Sequence, residues 1–82
     1  MSVIRGVKEL AEDAIAWQNG ATGNLTRTLE VRLNTGERYG GRVAMSEDKY
    51  ITVNRVTGYR EHVRYYIPFA NIKLIKRYET SE

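Results

Sequence analysis

In the first quarter of the chain, apolar residues recur at steps of three and four, which is the spacing of one helix face. Ser2 is a residue type that caps a helix start, and Asn19-Gly20 is a typical helix end. This pattern predicts a helix over residues 2–18, within an N-terminal region of residues 1–19. The predicted apolar stripe consists of Val3, Val7, Leu10, Ala11, Ala14 and Ile15.

From Leu25 onward the apolar residues recur at every second position, as in a strand with one buried face. Turn-forming residues interrupt this alternation at Asn34-Thr35-Gly36, Ser46-Glu47-Asp48, Thr57-Gly58 and Pro68. The segments between them predict five short antiparallel strands within residues 25–78, the last over residues 71–78. Residues 79–82 are predicted to be an acidic tail, and the whole chain is predicted to form one domain.

Two adjacent glycines, Gly40 and Gly41, stand inside the second predicted strand, where β-branched or aromatic residues are expected. Glycine inside a strand is typical of a barrel corner or of a close approach by another backbone. Gly36 differs, because it stands where a tight hairpin turn requires positive φ. We interpret Gly40-Gly41 as a kink that lets this strand serve both halves of a small barrel. The alternative is a weak edge strand with a bulge.

The last two predicted strands, HVRYYI and NIKLIKRY, carry apolar or aromatic side chains on both faces. Such strands need cover on both sides, and an uncovered apolar edge promotes association. They are therefore predicted to form the interface of a closed homo-oligomer, unless the N-terminal helix covers one face. The predicted interface residues are Val63, Tyr65, Tyr66, Ile67, Ile72, Leu74 and Ile75.

Positive charge is concentrated in the strand region. Residues 25–78 carry eleven Lys or Arg against five acids, and nine of the thirteen basic residues in the chain are Arg. Arginine pairs with phosphate through two parallel hydrogen bonds and stacks on bases, so this distribution favours a polyanion partner. A solvated surface of mixed charge is the alternative.

The residue types present argue against an enzyme. His62 is the only histidine and there is no cysteine, so neither a histidine-based metal cluster nor a thiol nucleophile is expected. We predict no cofactor and no metal. No apolar run reaches the roughly 18 residues of a membrane span, and the N-terminus does not resemble a secretory signal. A cytoplasmic protein without a membrane partner is expected.

Two segments resemble the motifs of a known family. LEVRLNTGERYGGRVAMSEDKYITV resembles the first Sm motif, and YIPFANIKLI resembles the second. The matching residues are Leu29, Val31, Leu33, Gly36, Gly41, Val43 and Asp48 in the first motif, and Ile67, Asn71, Ile72 and Ile75 in the second. Together with the order of one helix and five strands, these motifs resemble the Sm, LSm and Hfq family over nearly the whole chain.

This resemblance implies a mainly β fold, in which an N-terminal helix precedes a strongly bent five-stranded antiparallel small barrel. Such barrels assemble into rings by pairing the fourth strand of one subunit with the fifth strand of the next. The family binds single-stranded RNA near the ring pore, with bases stacked on side chains of the two motifs. The resemblance places the RNA site of this chain at Asp48, Tyr50, Thr52, Phe69 and Asn71.

The residues themselves leave alternatives open. Tyr50 stacks on a base or is a cross-strand surface tyrosine, and Phe69 is a base platform or a core plug after Pro68. Arg55, Arg60 and Arg64 flank the third turn, where they bind phosphate or keep a loop soluble. The predicted function is an RNA chaperone or scaffold. Because Pro68-Phe69 replaces the Arg-Gly or Lys-His pair of the family, the alternative is an Sm-fold protein-interaction or structural module without an RNA pocket.

Overall fold

The computed structural model describes residues 6–47 and 49–81, which form one helix and five antiparallel strands in a single sheet. This confirms the mainly β class and the predicted order of elements. The elements are α1 (Val7–Asn19), β1 (Leu25–Leu33), β2 (Arg38–Ser46), β3 (Tyr50–Gly58), β4 (Glu61–Pro68), a 3₁₀ turn (Phe69–Asn71) and β5 (Ile72–Ser81).

The helix is shorter at its start than the sequence pattern predicts. Gly6 is extended, with φ −70° and ψ 160°, and it is the N-cap of a helix that begins at Val7. The prediction of a continuous helix from residue 2 is therefore wrong at Gly6, because glycine is a poor helix former but an acceptable N-cap. The predicted Ser2 cap lies outside the described residues. The predicted end is confirmed, since the Gly20 N–H donates to the carbonyl oxygens of Ala16 and Trp17.

The third turn lies two residues later than predicted. Gly58 still pairs with Glu61 in the β3–β4 ladder, so the chain reverses at Tyr59 and Arg60 rather than at Thr57-Gly58. Arg60 completes the reversal with φ 61°, a left-handed conformation that is uncommon for a residue with a side chain.

The predicted acidic tail belongs to β5 as far as it is described. Glu79 pairs with Arg27 across the β1–β5 ladder, and its carboxylate accepts a hydrogen bond from Arg27 Nε at 2.8 Å. The same guanidinium donates to the Trp17 carbonyl oxygen at 2.8 Å and lies 4.7 Å from the centre of the Trp17 ring. The C-terminal end of the helix is thus attached to both strands, which explains why β5 continues past Tyr78.

The strands are ordered β4-β3-β2-β1-β5, and every neighbouring pair is antiparallel. Among the described residues, β4 and β5 each pair with one strand only, and these are the two strands predicted to be edges. The sheet is bent but open, so the barrel predicted from the sequence is not closed within one chain. Both borders therefore expose unpaired backbone groups.

The bend in the sheet lies at Gly41. The first half of β2, residues 38–41, pairs with β1, and the second half, residues 42–46, pairs with β3. Gly41 has φ +150°, and a Cβ built there would overlap the carbonyl oxygen of Asn54. At Gly40 a Cβ would meet nothing closer than 3.9 Å. The predicted kink is confirmed, and Gly41 rather than Gly40 is the residue that requires it.

A side chain of the helix fills the gap that opens where β2 leaves β1. Gln18 Nε2 donates to the carbonyl oxygen of Val43 at 2.9 Å, and the Val43 N–H donates to Gln18 Oε1 at 2.9 Å. Gln18 is 2% exposed. Its amide therefore replaces the missing strand partner and satisfies two buried backbone groups.

The core lies between α1 and the concave side of the sheet. Alternate residues of the strands point into it, as the two-residue period predicts. The buried apolar side chains are Ala11, Ala14, Leu29, Val31, Val43, Ile51, Val53, Ile67 and Ile72. The opposite side of the sheet carries three of the eight predicted RNA-binding residues, which are Tyr50, Thr52 and Arg64.

Candidate nucleic-acid interface

Three strands, β2, β3 and β4, form a continuous surface on the side of the sheet away from the core. In the ladders, Thr52 lies opposite Ala44 on one side and Tyr66 on the other. Residues two positions along each strand share the same face. The flanking rows are Ser46, Tyr50 and Pro68, and Arg42, Asn54 and Arg64. We call these nine residues the outer face.

Two tyrosines form an aromatic pair on the outer face. The ring centroids of Tyr50 and Tyr66 are 5.5 Å apart, and the rings meet edge to face. Tyr66 is 58% exposed, whereas Tyr50 is half-buried. Paired rings hold each other in a fixed orientation, and exposed rings of this kind stack on the bases of single-stranded nucleic acids. Tyr50 was predicted to contact RNA, whereas Tyr66 was predicted to lie at the subunit interface.

Two arginines of the outer face are held by neutral partners. Arg64 Nε donates to the Asn54 side-chain oxygen at 2.9 Å, and Arg42 Nη2 donates to the Asn19 side-chain oxygen at 3.3 Å. Because both acceptors are amides, these hydrogen bonds orient the guanidinium groups without neutralising them. The outer face therefore carries positive charge beside its aromatic pair, which is the composition of a single-strand binding surface.

Thr52 lies in the middle of the outer face but offers little surface to a ligand. Only 8% of the residue is exposed. Its hydroxyl lies 3.5 Å from the carbonyl oxygen of Ala44, at the limit of a hydrogen bond. The base contact that the resemblance assigns to Thr52 stays a prediction.

The β3–β4 hairpin extends beyond the rest of the sheet. Pairing between β2 and β3 ends at Asn54, so residues 55–63 form a two-stranded ribbon. Arg55 and Arg60 are exposed on this ribbon, and the ring of Tyr59 is 89% exposed at its tip. Arg55 follows Asn54 directly and therefore faces the other side of the sheet. Of the three predicted arginines, the structure places only Arg64 on the outer face with Tyr50.

The 3₁₀ turn joins the two edge strands. Phe69 is half-buried and packs against the core, which corresponds to the core-plug alternative, although this packing does not test base stacking. Asn71 is exposed, and its carbonyl oxygen accepts a hydrogen bond from the Asn34 N–H at 2.9 Å. The Asn34 side chain donates to the carbonyl oxygen of Ala70 at 3.0 Å. Asp48 lies outside the described residues.

The predicted interface residues divide into two groups. Ile67 and Ile72 are buried in the core of their own chain, and Tyr65 and Ile75 pack against that core. The Tyr65 ring lies 4.5 Å from the Tyr39 ring, centre to centre. The side chains with surface left for a neighbour are Val63, Tyr66 and Leu74. On the core side, any contact between subunits would have to be made mainly by the backbone of the edge strands.

Tyr39 links this aromatic contact to the β1–β2 turn. Its hydroxyl donates a hydrogen bond to the carboxylate of Glu37. This bond raises the pKa of Tyr39, and desolvation and the negative charge of Glu37 raise it further. Tyr39 therefore remains neutral through the physiological range.

Comparison with known proteins leaves the family open. No protein-family model, curated protein or solved structure matches the chain. Within residues 6–47 and 49–81, no helix is long and apolar enough to cross a membrane. The same residues contain no group of three or more His, Asp or Glu side chains that could hold a metal ion. Membership of the Sm-like family stays a prediction from the two motifs.

Proposed function

We propose that this protein binds single-stranded RNA on the outer face and acts as an RNA chaperone or scaffold without catalysing a reaction. The observation that carries the proposal is the Tyr50–Tyr66 pair beside the guanidinium groups of Arg64 and Arg42, whose hydrogen-bond acceptors are neutral amides. Aromatic rings bind bases of any sequence, and arginines bind the backbone phosphates. The excess of basic over acidic residues within residues 25–78 also supports an RNA partner.

In this proposal, the protein binds RNA as a homo-oligomer. The borders of the sheet are β4 and β5, which are different surfaces of the same chain, so one border can pair with the other border of a second copy. Such head-to-tail contacts close into a ring when the angle between the borders permits it. A ring repeats the outer face once per subunit, so that weak contacts add up to strong binding.

Removing the ring of Tyr66 is expected to weaken RNA binding. Tyr66→Ala deletes the exposed half of the aromatic pair, and loss of one stacked base costs roughly 1–3 kcal/mol, or about 5- to 150-fold in affinity. Tyr66→Phe should bind like the wild type, because the ring is retained. Fluorescence anisotropy with labelled uridine and adenine homopolymers measures both affinities.

The matched control is Tyr78→Ala. Tyr78 is 47% exposed, like the target residue, but it lies on β5, away from the outer face. Equal losses in Tyr66→Ala and Tyr78→Ala would contradict the proposed site. Absence of wild-type binding to every homopolymer at low salt would contradict RNA binding itself.

A charge placed on the β5 border is expected to reduce self-association. Leu74 is half-buried, lies outside the core cluster, and lines an apolar groove of about 280 Å³ between α1 and β5. Leu74→Lys puts an ammonium group on the border, which is how natural edge strands avoid pairing. Sedimentation velocity should show a smaller species at equal concentration. Thr26→Lys, on the interior strand β1, should leave the mass unchanged.

A wild-type protein that is well folded and monomeric at high concentration would contradict the proposed assembly.

One feature favours a second function, a protein-interaction module: Phe69 packs against the core where the family places a residue that binds RNA. Under that function Tyr66→Ala leaves partner binding intact, and no homopolymer binds.

A further inference from the structure

A second basic cluster lies near the β1–β2 turn, apart from the outer face. Three cationic residues from three different strands line one open cleft of about 290 Å³. They are Arg32 on β1, Arg38 on β2 and Lys73 on β5, accompanied by Leu33, Gly36 and Leu74. None of the three cationic residues belongs to the RNA site predicted from the sequence.

The two arginines face each other across the ladder. Arg32 and Arg38 are direct cross-strand partners in the β1–β2 register. Like charges in directly opposite positions destabilise a sheet, so this pair works against folding unless an anion lies between the two groups. A sheet that keeps such a pair next to a cleft has the arrangement expected of an anion site.

Among the described residues, one ion pair lies at this point. Glu30 Oε2 lies 3.6 Å from Arg32 Nε, which is within ion-pair distance but too long for a hydrogen bond. Arg32 Nε is buried and has no hydrogen-bond partner among the described residues. Glu30 also accepts a hydrogen bond from the Tyr78 hydroxyl at 3.2 Å, so its charge is shared. The cluster retains an excess of positive charge.

The third cationic residue is placed by an irregularity in β5. Leu33 pairs with Ile72 and Arg32 pairs with Leu74, which leaves Lys73 as an extra residue in the ladder. A bulge of this type redirects the side chain of the extra residue. Here it brings Lys73 to the same cleft as Arg32 and Arg38. In a regular ladder, no residue of β5 would be left without a partner on β1 at this point.

We infer that the cleft formed by Arg32, Arg38 and Lys73 binds an oxyanion of the phosphate class, either a phosphodiester of a nucleic acid or a free phosphate group. Guanidinium groups bind the oxygens of phosphate through paired hydrogen bonds, and an ammonium group adds a point charge. An anion held by all three groups would remove the repulsion between the two arginines. The inference does not depend on RNA binding at the outer face.

The test uses inorganic phosphate as the probe. Thermal unfolding of the full chain is measured in sodium phosphate and in sodium chloride, at equal ionic strength and pH. Wild-type Tm should be higher in phosphate, by about 6–11 °C once phosphate exceeds its Kd roughly tenfold. Arg38→Thr should raise Tm in chloride, because the like-charge pair is gone, and should abolish the increase in phosphate. A purely structural arginine would not give these two opposite effects.

Arg77→Thr is the matched control, because it removes the same charge from an exposed strand position on β5 that does not line the cleft. It should leave the phosphate effect intact. The inference is overturned if wild-type Tm is the same in both salts. It is also overturned if the increase survives in both Arg38→Thr and Arg32→Gln, or if Arg77→Thr abolishes it.

Binding of labelled RNA by the same variants distinguishes the two sources of the anion. If the cleft holds a nucleic-acid phosphodiester, Arg38→Thr lowers RNA affinity and makes the log–log salt dependence shallower by about 0.7. If it holds free phosphate, RNA affinity is unchanged while the phosphate effect on Tm is lost. A phosphate effect in a protein that binds no RNA would support the cleft and contradict the outer-face proposal.

Discussion

Gly41→Ala is expected to be one of the two most destabilising substitutions considered. The new Cβ would overlap the carbonyl oxygen of Asn54, and alanine rarely adopts φ +150°. Relief requires β2 and β3 to separate where their ladder begins. We expect a loss of about 2–4 kcal/mol in the free energy of unfolding, a large share of the stability of a small domain.

Gly40→Ala is the matched control, one residue away in the same strand. A Cβ at Gly40 meets only the Leu29 carbonyl oxygen, at 3.9 Å, which is an ordinary contact. Alanine restricts the unfolded chain more than glycine, so this variant should be as stable as the wild type or slightly more stable. Urea denaturation followed by circular dichroism compares the two. Equal stabilities of Gly41→Ala and Gly40→Ala would show that the bend does not depend on Gly41.

Gln18→Met is expected to destabilise the fold by a comparable amount. Methionine has a similar length and is apolar, so it fills the same space but leaves the N–H and carbonyl of Val43 without partners. Each buried unsatisfied backbone group costs about 1–3 kcal/mol. We expect a loss of about 2–4 kcal/mol, and rapid hydrogen exchange at the Val43 amide.

Asn19→Ala controls for a general effect on the helix end. Asn19 is exposed, and its side-chain oxygen accepts hydrogen bonds from the long side chains of Gln18 and Arg42, at 3.3 Å each. Its removal should change stability by less than about 1 kcal/mol. If Gln18→Met were as stable as Asn19→Ala, water would be satisfying the Val43 backbone, and the amide of Gln18 would not be needed.

The strands could be predicted because apolar and polar side chains alternate along most of their length. In β2, Tyr39, Val43 and Met45 face inward and Arg38 and Arg42 face outward, as the two-residue period requires. The third turn could not be placed, because Thr57-Gly58 is a strong turn signal. The reversal instead occurs at Tyr59-Arg60, where a left-handed arginine takes the position that glycine usually occupies.

The sequence contains only a weak indication of the structural role of Gln18. Gln18 stands four residues after Ala14, so it continues the apolar stripe of the helix with a polar residue. Whether such a residue is exposed or satisfies a buried backbone group depends on a gap between β1 and β2. That gap arises from the bend at Gly41, which is a tertiary feature.

The outer face was predictable in part. Tyr50 and Arg64 were identified singly, but Asn54 and Arg42 join them only through the register of three strands, which sequence spacing does not fix. Arg32, Arg38 and Lys73 come together for the same reason, since a bulge in β5 brings Lys73 to Arg32. The register between paired strands was the part that the pattern could not provide.

The bend at Gly41 has a consequence for the proposed assembly. One half of the sheet ends in β5 and the other half ends in β4, and the two halves share only β2. The backbone conformation at Gly41, together with the twist of the strands, therefore contributes to how far one border is rotated from the other. In a head-to-tail assembly that rotation sets the number of copies per turn. Stoichiometry would then depend in part on the backbone torsion of a glycine that lies on neither border.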